Sequence, residues 1–547
     1  MENNFDNLLE QLGMGKWNLI VIILFGYWCA QIPSSSLGGT FLVPSLEHSC
    51  KIPDDGFPIF IEKDGNETEI ESCWYNKETS EGMEKMPCTE WDFDNSTYIT
   101  TLTSEFQMVC ENKYLRPTFE SMYFMGALIA SPIIGFLSDS FGRKTVMSVG
   151  MTTHALLSNF TCWLPNLSSI LAVRFILGLM HPTSMAVTFT LAMEQSAPRH
   201  RSAVGLLTCL PWVIGYFTWS GQAYLIREWR WLMVSVPLPS LLAVPVLWFV
   251  DESPRWLILK GFHEQALKVL QRAARLNKAT LPPEEELRSL MKLMQTESNQ
   301  YKRQPQPGNS QFMKLLMMMR DQIYILFRTP VMRRITLCLY CLFLVCGTVY
   351  YGLSISGGNF GTDPFAYIAL CGIMEIPGST VTLPMINTLG RKRSNVICFL
   401  LTGVSLLLLT CVPKGWVATA MALIGKMTIS GAYQIVYLHA TELFPTEVRV
   451  RGLGTCAMVS KTGSIIVPYI INALGAIYWW GPSVLCGGIS IVACMVYSLV
   501  PETLGMALPN TVADLEKVEE KKKRKDLAHD IEEVTAMTPD KIISLST

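Results

Sequence analysis

Half of the 547 residues are apolar, only 16% are charged, and the mean hydropathy is +0.29, a balance that excludes a water-soluble globular protein of this length. The formal net charge of −1 gives no electrostatic basis for a nucleic acid or other polyanionic partner. No Walker-type phosphate loop, His-Glu-x-x-His or nucleophile elbow occurs, so nothing points to an enzyme or to a bound cofactor.

The N-terminus carries Glu2, Asp6 and Glu10 where a cleavable leader would be basic, so the first apolar run is expected to be kept. Apolar windows near membrane-spanning length lie at 18–40, 119–138, 145–165, 168–190, 202–225 and 231–250, then at 334–355, 363–386, 394–412, 415–438, 452–475 and 479–500. The predicted fold is an all-α membrane protein of twelve transmembrane helices in two halves of six. Residues 1–17 form a cytosolic N-terminus, 18–250 the first half, 251–333 a helical linker, 334–502 the second half and 503–547 a cytosolic tail. The first window contains Tyr27, Trp28 and Gln31, followed by Pro33 and three serines. Lipid requires none of these, so they either pack between helices or line a cavity.

Residues 44–115 leave the membrane with an acidic surplus, Cys50, Cys73, Cys88 and Cys110, and acceptor sequons at Asn66 and Asn95. Cysteines and sequons together in one polar loop predict a disulfide-bonded, glycosylated face outside the cell, with all three pairings open. The chain then turns at Gly135–Lys144, where an apolar run ends and Gly142 is followed by two cations, which reads as a hairpin between helices. A second copy, Asn387-Thr388-Leu389-Gly390-Arg391-Lys392-Arg393, recurs about half a chain later and implies two similar halves around a central site. In the first copy Asp139 is placed to pair with Arg143 or a neighbouring helix end. The basic residues of the short loops, Arg143 and Lys144, Arg199 and Arg201, Arg391–Arg393, Arg449 and Arg451, fall on one side, which the positive-inside rule makes the cytosol. Both termini are then cytosolic, with the plasma membrane as location; Arg227 and Arg230 are exceptions on the outer side.

Arg174, near the outer start of the fourth window, is expected to snorkel. Glu194 near the inner end of that helix is followed by Arg199 and Arg201, and the second half answers with Lys426, Glu442 and Arg449. Together with Asp139 and Arg143, residues Glu194, Arg201, Lys426, Glu442 and Arg449 are candidates for ion pairs of an inner gate. In the linker, helices are predicted over 261–277 and 282–294, and a helix lying on the inner membrane surface over 312–327. The basic run Lys521–Lys525 in the tail is expected to be solvated or near anionic lipid.

Lys461 lies about ten residues into the eleventh window, near mid-membrane at about 1.5 Å per residue. An ammonium there costs on the order of several kcal/mol unless it faces water, an acid or a ligand. Its partner is either a substrate anion or Glu375, the buried acid of the eighth window. Phe343 and Tyr350 share one helix face, and Tyr433 and Gln434 cluster with Tyr437. Such rings serve packing, and they also bind apolar bodies and quaternary ammonium groups. His154, in the third window, reads as a packed side chain.

Gly135–Lys144, Asp251–Leu257, Glu442-Leu443-Phe444-Pro445-Thr446 with Arg449, and Pro501-Glu502-Thr503 resemble the signatures of the major facilitator superfamily, specifically its organic cation, carnitine and organic anion transporters. Glu105-Phe106, Val109-Cys110 and the long cysteine loop are similar to that family and not to sugar porters, and Gly425-Lys426 leading to Glu442 looks most like its carnitine and zwitterion branch. The resemblance runs from about residue 17 to 510. It implies a polyspecific organic-ion transporter working by alternating access, with Phe343, Tyr350, Tyr433, Gln434 and Lys461 lining a central cavity; Trp28 and Glu375 join them as candidate substrate contacts. It also implies that a basic residue at position 461 favours anions or carnitine-like zwitterions, where an acid would favour simple cations. Asn387 and Asp251 depart from the family pattern, standing where an acid and a proline are expected. The implied partners are a small organic ion and the lipid bilayer, the chain acting as a monomer, with sodium or proton open as coupling ion. Two other readings are a transporter-like glycoprotein that binds a partner without moving solute, and a sugar porter, which would need a cavity rich in Gln and Asn.

Overall fold

The computed structural model describes residues 2–54, 56–63, 67–79, 82–207, 209–301, 324–505, 511–513 and 515–516. Helix α1 (Glu2–Leu12) places Phe5, Leu8, Leu9 and Leu12 on one buried face. After Gly13, α2 (Lys16–Ala30) begins an apolar run that continues through the short helical turns Ile32–Ser36 and Gly39–Leu42.

The segment after it is not helical. Strand β1 (His48–Cys50) pairs antiparallel with β5 (Trp91–Phe93), and β2 (Gly56–Lys63), β3 (Glu67–Thr79) and β4 (Gly82–Pro87) form an antiparallel sheet in that order. The helical fold class therefore carries a small β element, hidden in a sequence where charged residues interrupt any alternation. The open cysteine pairing resolves into Cys50–Cys88 and Cys73–Cys110, with Cα atoms 5.9 and 5.6 Å apart. Asn95 is exposed, whereas Asn66 lies outside the described residues.

The first half continues with α3 (Leu115–Phe141), α4 (Arg143–Phe160), α5 (Leu167–Gln195), α6 (Cys209–Leu225) and α7 (Trp229–Phe249). Helices α3 and α5 approach backbone to backbone, because a Cβ at Gly178 would sit 2.0 Å from the Tyr123 carbonyl oxygen. The linker forms α8 (Pro254–Lys260), α9 (His263–Asn277) and α10 (Glu284–Tyr301). Their apolar residues Leu257, Leu267, Leu270, Leu287 and Met291 close over α1 in a core of their own. Position 261–262 is where the first linker helix ends on a left-handed Gly261, so the predicted 261–277 helix starts at His263. Of the surface helix read over 312–327, only 324–327 are described and these are helical; Lys521–Lys525 lie outside the described residues.

The second half comprises α11 (Pro330–Ile355), α12 (Pro364–Thr388), α13 (Arg391–Leu408), α14 (Trp416–Leu443), α15 (Arg449–Ile477) and α16 (Gly481–Ser498). Proline at the first turn and Asp363, which accepts a hydrogen bond from the Phe365 amide at 2.9 Å, start α12. Among the described residues nine helical stretches are long and apolar enough to cross a membrane. The windows at 145–165, 202–225 and 415–438 coincide with α4, α6 and α14, which are not in that set: α4 opens on Arg143-Lys144, α14 contains Lys426, and α6 counts 17 residues from 209 because position 208, between it and the helix Pro198–Leu207, lies outside the described residues. Contacts between the halves run mainly through α3 against α15 and α6 against α12.

Candidate functional site

Two cations face the interior of the second half, and their surroundings differ. Lys426 on α14 is fully buried. Its ammonium lies 3.2 Å from the Glu375 carboxylate, donates to Ser354 Oγ at 2.8 Å, and stands 3.1 Å from the centroid of the Tyr350 ring. Glu375 also accepts from the Tyr350 hydroxyl at 2.6 Å and from the Ser430 hydroxyl. From the first half, Trp212 Nε1 donates to the Tyr350 hydroxyl at 3.1 Å, and the Tyr216 hydroxyl lies 3.3 Å from it. Charge, hydrogen bonds and ring face are all matched, as a buried ion pair requires.

This corrects two expectations. Lys426 does not stand beside Glu442 at a helix end: the two are separated along α14 by about 24 Å at 1.5 Å per residue, and helix membership alone had suggested their proximity. Glu375 is also not the partner of Lys461, since Lys426 holds it.

Lys461 on α15 is half-buried and has no carboxylate partner among the described residues. Its ammonium lies 5.8 Å from the ring centroid of Phe124 on α3 and 5.5 Å from that of Tyr351 on α11, two rings that meet edge to face across the halves at 4.6 Å. Tyr433 lies beside this layer, its hydroxyl 2.8 Å from Ser460 Oγ and its ring 6.0 Å from that of Tyr350. Gln434 is exposed and donates to Ser379 Oγ at 2.7 Å. Phe343 is fully buried behind Tyr433 and Tyr437, with ring centroids 6.2 and 6.1 Å away, so it supports those rings from the rear. Trp28 is buried in the first half against His154 and His181. The structure thus brings Tyr350, Tyr433 and Glu375 into one neighbourhood with Lys426, sets Lys461 next to it, and leaves Trp28 in a separate cluster.

Sequence reasoning missed the contribution of α6, Trp212 and Tyr216, and that of Phe124 and Tyr351. The i,i+4 aromatic spacing of Trp212 and Tyr216 was the available signal. Arg174 does not snorkel: it pairs with buried Glu120 at 3.3 Å and stacks over Phe119 at 4.3 Å, while Glu120 accepts from the Gly39 amide at 2.5 Å. An acid inside the apolar window 119–138 was the overlooked clue.

The two hairpins repeat one arrangement. Gly142 and Gly390 adopt positive φ, 98° and 86°, and let the chain enter α4 and α13. At the first, the amides of Arg143 and Lys144 donate to Glu252 at 2.9 and 3.0 Å; at the second, those of Arg391 and Lys392 donate to Glu502, both at 2.9 Å. Arg143 pairs with Asp139 at 2.9 Å and with Glu194 at 3.2 Å, and Arg391 pairs with Glu442 at 2.9 Å. The remaining gate candidates are arranged otherwise. Arg201 pairs with Asp6 of α1 at 2.8 Å, and Arg449 donates to the Phe444 carbonyl and Thr446 hydroxyl at the start of its own helix.

These ion pairs each join residues of one half. Contacts between halves lie elsewhere, from the middle of the helices towards the disulfide-bonded loop. Ser121 donates to the Ile465 carbonyl at 2.7 Å, the Thr118 and Tyr469 hydroxyls lie 3.0 Å apart, and Ser220 donates to the Phe365 carbonyl at 2.5 Å. Phe365 is enclosed by Phe41, Tyr98 and Tyr224, with ring centroids at 5.1, 5.7 and 5.7 Å. On the loop side the halves are thus joined by aromatic packing, beside a cavity of about 750 Å³ lined by Tyr98 and Glu120 of the first half and Pro364 and Tyr469 of the second.

Residues 74–512 match the family described as Sugar (and other) transporter. Among similar proteins, the organic cation transporter protein of Drosophila melanogaster is 29% identical over 530 residues, covering 93% of this chain and 94% of that protein. The human organic cation/carnitine transporter 2 is 28% identical over 553 residues, covering 94% and 95%, and solute carrier family 22 member 6 of Mus musculus is 29% identical over 529 residues, covering 93% and 94%. The fold is similar to that of the xylose transporter XylE from E. coli in its inward open conformation, with a TM-score of 0.59 at 15% identity, over 92% of this chain and 98% of that one. This multi-pass membrane protein has the major facilitator fold, and the chain belongs to the sugar (and other) transporter family, a family of transporters and not of enzymes.

Proposed function

We propose that this protein is a polyspecific transporter of organic ions that favours anions or carnitine-like zwitterions, working by alternating access in the plasma membrane. In this reading twelve helices cross the bilayer, the disulfide-bonded loop faces outside with Asn66 and Asn95 glycosylated, and both termini are cytosolic. The observation that carries it is the contrast between two lysines: Lys426 is neutralised by Glu375, whereas Lys461 faces aromatic rings of both halves without a carboxylate among the described residues. In a site that excludes water, an uncompensated ammonium attracts a carboxylate or sulfate and repels a permanent cation. Tyr433, Tyr351 and Phe124 supply ring faces and edges for the apolar or quaternary part of the substrate.

The names of the similar proteins, which include organic cation and cation/carnitine transporters, support organic ions as substrates, and the preference among them rests on Lys461. The hairpin pairs of Arg143 with Asp139 and Glu194, and of Arg391 with Glu442, brace the hairpin end of each half, the surface on which an inner gate closes in this reading. The Phe365 cluster joins the halves on the loop side, which supports a mechanism in which this seam opens and closes in turn with the hairpin side. Uptake of labelled L-carnitine into vesicles holding only this protein tests the reading. Accumulation in the lumen is expected; retention of ligand on the protein without lumenal accumulation would instead identify a binding glycoprotein that moves no solute.

A further inference from the structure

The cavity of about 750 Å³ on the loop side has walls from both halves and contains one half-buried cation, Arg116, that the site around Lys461 does not use. Its first-half wall is the start of α3, with Arg116 and Glu120, and its second-half wall is the loop-side end of α15, with Tyr469, Asn472 and Ala473. Both ends of the cysteine loop line it, through Ser45 at one end and Asp94 and Tyr98 at the other. A neighbouring cavity of about 690 Å³ beside the two disulfides shares Lys113, Arg116 and Ala476 with it. Arg116 therefore stands where the space under the loop meets the space between the halves.

Arg116 is anchored but not neutralised. Its Nε donates to the Val43 carbonyl and its Nη1 to Ser45 Oγ, both at 3.3 Å, and among the described residues no carboxylate pairs with it. These bonds fix one edge of the guanidinium and leave the Nη2 donors unused among the described residues. The acids around the cavity are engaged elsewhere or screened by water. Glu120 is buried, pairs with Arg174 at 3.3 Å and accepts from the Gly39 amide at 2.5 Å. Asp94 is exposed and accepts from the Ser96 amide and hydroxyl at 3.0 and 2.7 Å, and Glu47 is exposed as well. Lys113, also exposed, adds a second positive charge to the lining. A half-buried guanidinium with a free edge suits the two oxygens of a carboxylate.

The cavity leads towards Lys461. Arg116 precedes Phe124 by eight residues on α3 and Tyr469 follows Lys461 by eight on α15, about 12 Å on either helix at 1.5 Å per residue. At the level of Lys461 the rings of Phe124 and Tyr351 meet, 4.6 Å apart, with the ammonium 5.8 and 5.5 Å from their centroids. Two cations without a carboxylate partner among the described residues thus lie in series along the seam of α3 with α15, one in the cavity and one beside the aromatic pair.

We propose that this cavity is a second binding site, which takes the carboxylate of an organic ion on Arg116 before the ion passes Phe124 and Tyr351 to Lys461. The passage rests on the transport reading above; the binding does not. Tyr114 and Tyr469, both exposed, supply ring surface for the apolar body of the ion.

4-Fluorobenzoate, followed by its fluorine-19 resonance, tests the binding on the full-length protein in detergent. In Lys461→Ala, where the inner carboxylate contact is gone, it is expected to bind at one site and to be displaced by L-carnitine. Choline, which has the quaternary ammonium without the carboxylate, is expected not to displace it. Arg116→Gln on that background is expected to weaken binding about tenfold or more, and Arg116→Lys, which keeps the charge and loses the fork, to weaken it less. Ala473→Trp fills the cavity from the opposite wall with Arg116 unchanged and is expected to weaken binding as well. No binding to Lys461→Ala, displacement by choline as effective as by carnitine, or an affinity indifferent to both Arg116→Gln and Ala473→Trp would each overturn the proposal. Where Arg116→Gln does not fold, Ala473→Trp decides alone. Absence of carnitine uptake by wild type would count against the transport reading, while the fluorine titration decides the loop-side site independently.

Discussion

Lys426 and Lys461 have the same side chain in different surroundings, one paired with Glu375 and one facing aromatic rings, and substitution separates the roles proposed for them. Lys426→Ala leaves Glu375 buried with Tyr350 and Ser430 alone, a loss of about 3–5 kcal/mol for an uncompensated charge. We expect a clear fall in thermal unfolding temperature in detergent, largely recovered when Glu375→Leu is added to Lys426→Met; a single variant as stable as wild type would remove the pair from the account. Lys461→Ala, with no ion pair to break, is expected to keep wild-type stability and to change selectivity. The sequence made the mid-membrane placement of Lys461 and the buried acid Glu375 legible from position alone. It offered Glu375 to Lys461 when the acid belongs to Lys426, because partners on different helices are set by rotation and tilt, and neither is written in spacing along one helix.

Each hairpin is an element built from a glycine turn, a helix N-terminus and a carboxylate brought from the end of the half. At the second hairpin burial pushes the Glu502 carboxyl up, but amide donors from Lys392, Leu504, Arg391 and Thr503 together hold it below the usual range. A depressed folded value means the stabilisation is present at neutral pH and is lost as pH falls through that value. Glu502→Gln is therefore expected to be less stable than wild type at pH 7, the gap closing as the pH falls from about 5 towards 3; a gap constant over that range would contradict the assignment. At the first hairpin Asp139 is 70% exposed and Arg143 is shared with Glu194. Asp139→Asn is expected to slow turnover several-fold with KM changed less than about twofold, since it alters sliding of the halves and not the substrate site. The hairpins, the Asp139–Arg143 pair and the linker helices were readable as local patterns, whereas the Arg391–Glu442 pair, which joins two helices, was not. The strands of the cysteine loop were not, because their order is held by disulfides and register, with little hydrophobic alternation to show it.

At the scale of the molecule, two halves meet through α3 with α15 and α6 with α12, and hydrogen bonds cross between them towards the side bearing the loop. Cysteines at Thr118 and Tyr469, whose native hydroxyls are 3.0 Å apart but whose Cβ atoms are separated by the length of the tyrosine ring, are expected to be bridged by a short bis-methanethiosulfonate in a background without exposed Cys411. The cross-link should stop uptake, and reduction should restore it; unimpaired uptake by the linked protein would mean that this seam does not open. Helix positions followed from hydropathy, but the packing around Phe365 gathers side chains from four separate segments and no local pattern announces it. The account as a whole depends on the charge at position 461. Its most direct test is uptake of L-carnitine, an aromatic carboxylate and tetraethylammonium by purified wild type, Lys461→Ala, Lys461→Arg and Lys461→Asp in the same vesicles. Wild type and Lys461→Arg should favour carnitine or the carboxylate, and Lys461→Asp should lose them and gain the quaternary cation. Lys461→Ala moving all three in wild-type proportions, while folded and correctly inserted, would contradict it.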